Sequence, residues 1–108
     1  MKLHELFHIL SNETRLKILT LLLEKEMCVC QILASTGTTQ PNISQHLNIL
    51  KNHGIVKSRR EDSFVYYSID ERFLEKYPFL ITILERAGKE YGVKAVNSCS
   101  LPNLSNKE

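Results

Sequence analysis

The chain has 108 residues, 43% hydrophobic and 24% charged, which is enough for one domain with a single core and excludes intrinsic disorder. No apolar run approaches the roughly 18 residues of a membrane span, and the opening MKLHELFHIL is too short and interrupted for a signal peptide, so a cytoplasmic chain with no membrane partner is expected. The net charge of +2 is unevenly placed: Met27 to Arg60 holds no acid, while Lys51, Lys57, Arg59 and Arg60 give that stretch +4, the footprint of either a phosphate-binding surface or a solvated charged face.

LHELFHIL has apolar residues at 3, 6, 7 and 10 and predicts a short helix with one apolar side. SNETRLKILTLLLEK predicts a second, capped by Ser11 or Asn12, with Leu16, Leu19, Leu22 and Leu23 as a broad apolar face. A third is expected from about Cys30 to Thr36, stopped by Gly37. Thr38 or Thr39 caps a fourth, with Pro41 in its first turn, where a missing N–H does no harm. In that helix Ile43, Leu47 and Leu50 form a narrow buried seam, and Gly54 ends it. Ser44, Gln45, Asn48 and Asn52 lie opposite. A solvated face would more often carry Glu and Lys; hydroxyls and amides without acids suit base edges and phosphates in a major groove.

IVKSRRE and FVYYSI bracket Asp62 and Ser63 and predict a hairpin with Arg59, Arg60 and Glu61 near its tip. Asp70 caps a last helix with Phe73, Tyr77, Leu80, Leu84 and Tyr91 along one side, broken or restarted at Pro78. The expected fold is mainly α with a small β-hairpin: a winged helix-turn-helix ordered α-α-α-α-β-β-α. Residues 1–92 form the DNA-binding and dimerisation domain, and 93–108 a flexible C-terminal tail. The first and last helices are more apolar than one small core can absorb, which predicts a two-fold homodimer placing two reading helices about one turn of double-stranded DNA apart.

Three cysteines in a reducing compartment do not make a disulfide framework, so the close pair Cys28 and Cys30 reads as a metal or redox site. The bland alternative is two small buried side chains. His4 and His8 stand one helical turn apart with no third ligand in view, and His46 and His53 suit packing or phosphate contact. No nucleophile–base pair, phosphate loop or paired carboxylates emerges, so no enzyme is expected.

From about Leu10 to Ile69 the chain resembles the ArsR/SmtB family of metal-responsive bacterial repressors, through LSNETRLKILTLL, EMCVCQIL, TTQPNISQHLNILKNHGIV and KSRREDSFVYYSI in that order. The resemblance implies a DNA-binding transcriptional repressor. Its CVC is similar to the thiol sensor of the arsenic-responsive branch and of cadmium- and lead-responsive relatives. There are departures: Leu33 stands where arsenic repressors often have another cysteine, and the N-terminus offers His4 and His8 in place of the cadmium-type cysteines. The last helix carries no histidine for a zinc-type site.

Soft thiolates select As(III), Sb(III), Cd(II) or Pb(II) over hard ions. The leading expectation is release from the operator when As(III) or Sb(III) binds Cys28 and Cys30; alternatives are a Cd(II)/Pb(II) sensor and a thiol-redox repressor. Cys99 is the one remaining thiol and a candidate third ligand. Two residues apart on a helix is about 200° of rotation, so sharing one ion is expected to need an unwound first turn. Thr39, Gln40, Asn42, Ser44, Gln45 and His46 are the expected DNA contacts on the reading helix, with Lys51, Arg59 and Arg60 on the flanking backbone.

Overall fold

The structure, a computed structural model, describes residues 1–96. Cys99 and the rest of the tail lie outside the described residues. The elements run α1 (Leu3–Leu10), α2 (Glu13–Glu24), β1 (Met27–Cys28), α3 (Val29–Thr36), α4 (Gln40–Asn52), β2 (Val56–Glu61), β3 (Phe64–Ile69), α5 (Glu71–Lys76) and α6 (Phe79–Tyr91). This is the expected winged helix-turn-helix with two refinements. A two-residue strand, β1, joins the hairpin to make a three-stranded antiparallel sheet ordered β1-β3-β2. The last helix is two helices, because Pro78 cannot continue α5 and instead becomes the N-cap residue of α6.

Local chemistry sets the boundaries. Asn12 caps α2 by accepting from the Arg15 N–H at 3.0 Å, Thr39 caps α4 by accepting from the Asn42 N–H, and Asp70 caps α5 through the Arg72 N–H at 3.0 Å. Gly37, with φ 75°, supplies the left-handed residue that ends α3 and turns the chain into α4.

Ile43, Leu47 and Leu50 of α4 are fully buried, as the spacing predicts. Helix α2 differs from its predicted single face. Ile18, Leu19, Leu21 and Leu22 are all buried, because α2 is the central helix, touching α6, α4, α3 and the wing. A helix surrounded by neighbours is apolar on most sides.

One further finding departs from expectation. Residues 93–96 do not trail away: Val93 and Ala95 pack against the core, and the Val96 N–H donates to Ser35 Oγ of α3 at 3.2 Å. The apolar surplus on the first and last helices is present as predicted. Leu3, Phe7, Phe79, Ile81 and Ile83 are exposed, and the Phe7 and Phe79 rings, 6.4 Å apart, make an apolar patch joining α1 and α6.

Candidate nucleic-acid interface and thiol site

Helix α4 and its N-cap present Thr39, Gln40 and Gln45 exposed, with Asn42 and Ser44 half-buried beside them. The Asn42 amide donates to Thr38 Oγ1 at 2.9 Å, which orients it along the start of the helix. Lys51 is exposed and donates to Ser58 Oγ of the wing at 2.8 Å, joining the reading helix to β2 while keeping its charge. No helix of the described residues is long and apolar enough to cross a membrane.

Two of the expected DNA contacts also have partners within the chain. His46 is half-buried against α2, where its Nδ1 accepts from Arg15 Nε at 3.1 Å. The same guanidinium donates to the Ile9 carbonyl at 3.0 Å, so Arg15 braces α1, α2 and α4 together. Burial first, and the Arg15 charge second, lower the imidazole pKa. The neutral ring is the form that fits. An unfolded histidine titrates near about 6.5, so this contribution to stability is present above that pH and is lost as pH falls from there toward the lower native value. The urea midpoint should therefore drop between about pH 7.5 and about pH 5.5, and His46→Gln should show a smaller drop.

Arg59 is the second. Its guanidinium grips Glu26 with Nε–Oε2 at 3.0 Å and Nη2–Oε1 at 2.5 Å, also bonds Glu61, and lies 5.0 Å from the Tyr66 ring centroid. The Arg59 bond holds the Glu26 carboxyl below the usual carboxylate range. Lys57 is likewise paired, with Glu71 at 2.6 Å. A stretch free of acids in sequence is thus not free of them in space: Glu26, Glu61 and Glu71 fold back onto it from just outside. Arg60 is exposed and makes no ion pair among the described residues. Changing Arg60 to Ala should lower the salt slope of duplex binding by about one, while Arg59→Ala should lower it less. Equal effects would place Arg59 in the phosphate grip after all.

The thiol pair occupies the joint between sheet and helix. Cys28 ends β1, where its Cα partner is Tyr66, and is also the N-cap residue of α3, with φ −85° and ψ 169°. Its N–H donates to Gln31 Oε1 at 3.0 Å. Cys28 is buried and Cys30 half-buried. Because Cys28 has extended backbone, the helical 200° separation does not apply, and the two sulfurs lie on one side, 3.9 Å apart. This corrects the expected unwinding. Two thiolates on one tetrahedral ion at 2.3 Å stand about 3.8 Å from each other, so the separation suits a shared thiophilic ion with the helix intact once Cys30, disulfide-bonded in this structure, is reduced. Among the described residues no group of three or more His, Cys, Asp or Glu is assembled to hold a metal.

Sequence reasoning missed Arg15, Glu26 and Tyr66. Glu26 adjoins the thiol motif, but its partner is 33 residues away and becomes visible only through the sheet register.

Comparison with known proteins places this geometry in a class of DNA-binding transcriptional regulators. Residues 12–58 match the bacterial regulatory protein, arsR family. The chain is 49% identical over 76 residues to an HTH-type transcriptional regulator of Methanocaldococcus jannaschii, covering 68% of this chain and 85% of that one. It is 40% identical to a cadmium resistance regulator, a CadC homolog of Staphylococcus aureus (70% of this chain, 64% of that one). It is 30% identical to the arsenic resistance regulator ArsR2 of Pseudomonas putida (95% and 89%). Among solved structures, the homodimeric winged helix-turn-helix DNA-binding domain of Mb0332 from Mycobacterium bovis superposes with a TM-score of 0.63 at 33% identity, over 72% of this chain and 73% of that one. The chain belongs to the ArsR family of transcriptional regulators.

Proposed function

We propose that the protein is a cytoplasmic homodimeric repressor that leaves its operator when As(III) or Sb(III) binds Cys28 and Cys30. The observation that carries this reading is the 3.9 Å separation of the two sulfurs at the head of the helix-turn-helix. There a soft-ligand pair touches the element that supports the reading helix. Gln40, Gln45 and Ser44 read bases or nearby phosphates, Thr39 and Asn42 fix the start of the helix, and Lys51 and Arg60 hold the flanking backbone. The patch of Phe7 and Phe79, with Ile83 one turn further along α6, joins two copies, which aligns two α4 helices on one face of the duplex.

Cys99, of either subunit, is proposed as a third ligand. The described chain reaches Val96 against Ser35 of α3. Three further residues span at most about 10 Å, and Ser35 is about 7.5 Å along the helix axis from Cys30.

A second reading, a Cd(II) or Pb(II) sensor, shares that sulfur separation and is favoured by similarity to the cadmium resistance regulator. Titration of the protein–operator complex with arsenite, Cd(II), Pb(II) and peroxide separates these. Arsenite release at the lowest concentration supports the first reading. Release by Cd(II) alone selects the second, release by peroxide alone selects a redox switch, and release by none overturns a thiol sensor.

A further inference from the structure

The residues around the thiol pair form a closed loop through the wing. In the sheet Cys28 pairs with Tyr66, and Tyr66 pairs on its other side with Arg59. Directly opposed residues in an antiparallel sheet project to the same face, so Cys28, Tyr66 and Arg59 make one row from the sensor outward. The Arg59 guanidinium lies over the Tyr66 ring and returns to Glu26 through two parallel bonds. Glu26 and Cys28 are separated only by Met27, whose side chain is fully buried. A fork-on-fork pair fixes direction as well as distance. The backbone at residues 26–28 is therefore tied to β2 by the β1–β3–β2 ladder and by the Glu26–Arg59 bridge.

We propose that Glu26 is a positioning residue that transmits the state of the Cys28–Cys30 site to the wing, and that Arg59 serves this path rather than the phosphate grip. The inference rests on the proposed reading of the thiol pair as an ion site. Two observations carry it. Arg59 is engaged by two carboxylates and an aromatic ring, whereas its neighbour Arg60 makes no ion pair among the described residues. The bridge also joins the two segments that an ion sensor with a wing must couple: the chain entering the thiol site, and the strand facing DNA. Helix α3 packs on α4 and supplies a parallel route, so loss of the bridge weakens the coupling without abolishing it.

The test compares operator affinity with and without saturating arsenite in the full-length protein, with arsenite binding followed separately by calorimetry. In the wild type the ratio of the two affinities is expected within the 5- to 150-fold range usual for coupled sites. Glu26→Gln should bind arsenite as the wild type does while that ratio falls by about threefold or more. Arg59→Gln, which breaks the same bridge from the wing, should do likewise. The exchange of both residues, Glu26→Arg with Arg59→Glu, should restore the ratio, which a merely structural role would not produce. Wild-type protein that stays on its operator in saturating arsenite overturns the functional reading and this inference with it. Wild-type release matched in full by Glu26→Gln and Arg59→Gln overturns the inference alone.

Discussion

Cys28→Ser and Cys30→Ser should each abolish arsenite-induced release while leaving operator binding nearly unchanged. A hydroxyl is a hard, weak ligand for a soft ion, and removing one sulfur of a pair 3.9 Å apart removes the chelate. The two variants should differ in stability. Cys28 is buried, so a serine there desolvates a hydroxyl at a cost of about 1–3 kcal/mol unless it finds a partner. Cys30 is half-buried, and serine there should cost less. Fluorescence anisotropy of a labelled operator under arsenite titration reads the first effect and urea unfolding the second. Release at the wild-type arsenite concentration by either variant would move the sensor elsewhere. In the same series Cys99→Ser should weaken arsenite affinity without abolishing release; unchanged affinity would remove the tail thiol from the site.

Phe7→Glu should convert the protein to a monomer and cut operator affinity by about two to four orders of magnitude. Phe7 is 47% exposed in the single chain, so the substitution costs that chain little. Across a dimer interface the same position would bury an unpaired carboxylate, which association does not tolerate. Separated subunits lose the effective concentration that joins two half-site contacts, worth about 10²–10⁴ in affinity. Sedimentation should show the monomer and the thermal midpoint of the isolated chain should hardly move. A dimer that survives Phe7→Glu would place the interface away from α1.

Much of this was legible in the sequence because the signals were local. Thr39, Asn12 and Asp70 announce helix starts by hydrogen bonds spanning two or three residues, and Gly37 announces an end by its φ. The seam of Ile43, Leu47 and Leu50 follows from helical periodicity alone, and the hairpin from two β-rich runs around a polar join. What stayed hidden depended on register or on neighbours. A strand of two residues, Met27–Cys28, has no periodicity to read, and it changed the geometry of the thiol pair by taking Cys28 out of the helix. Glu26 and Glu71, which pair with Arg59 and Lys57, lie outside the acid-free stretch and reach it only once β1 and β2 flank β3 in one sheet and the start of α5 comes beside β2. His46 sits in the same polar helix as Gln45, yet one step of rotation turns it toward Arg15.

That last contact has a consequence for how the protein would measure DNA. Arg15 fastens the Ile9 carbonyl of α1 and the His46 imidazole of α4 to the same guanidinium. In a dimer joined through α1, the reading helix cannot swivel without dragging the subunit seam with it. The two heads then behave as the fixed jaws of a caliper. One base pair added between half-sites turns the second about 34–36° around the duplex, beyond what braced jaws can follow. Spacing, as much as base identity, becomes part of the recognised message.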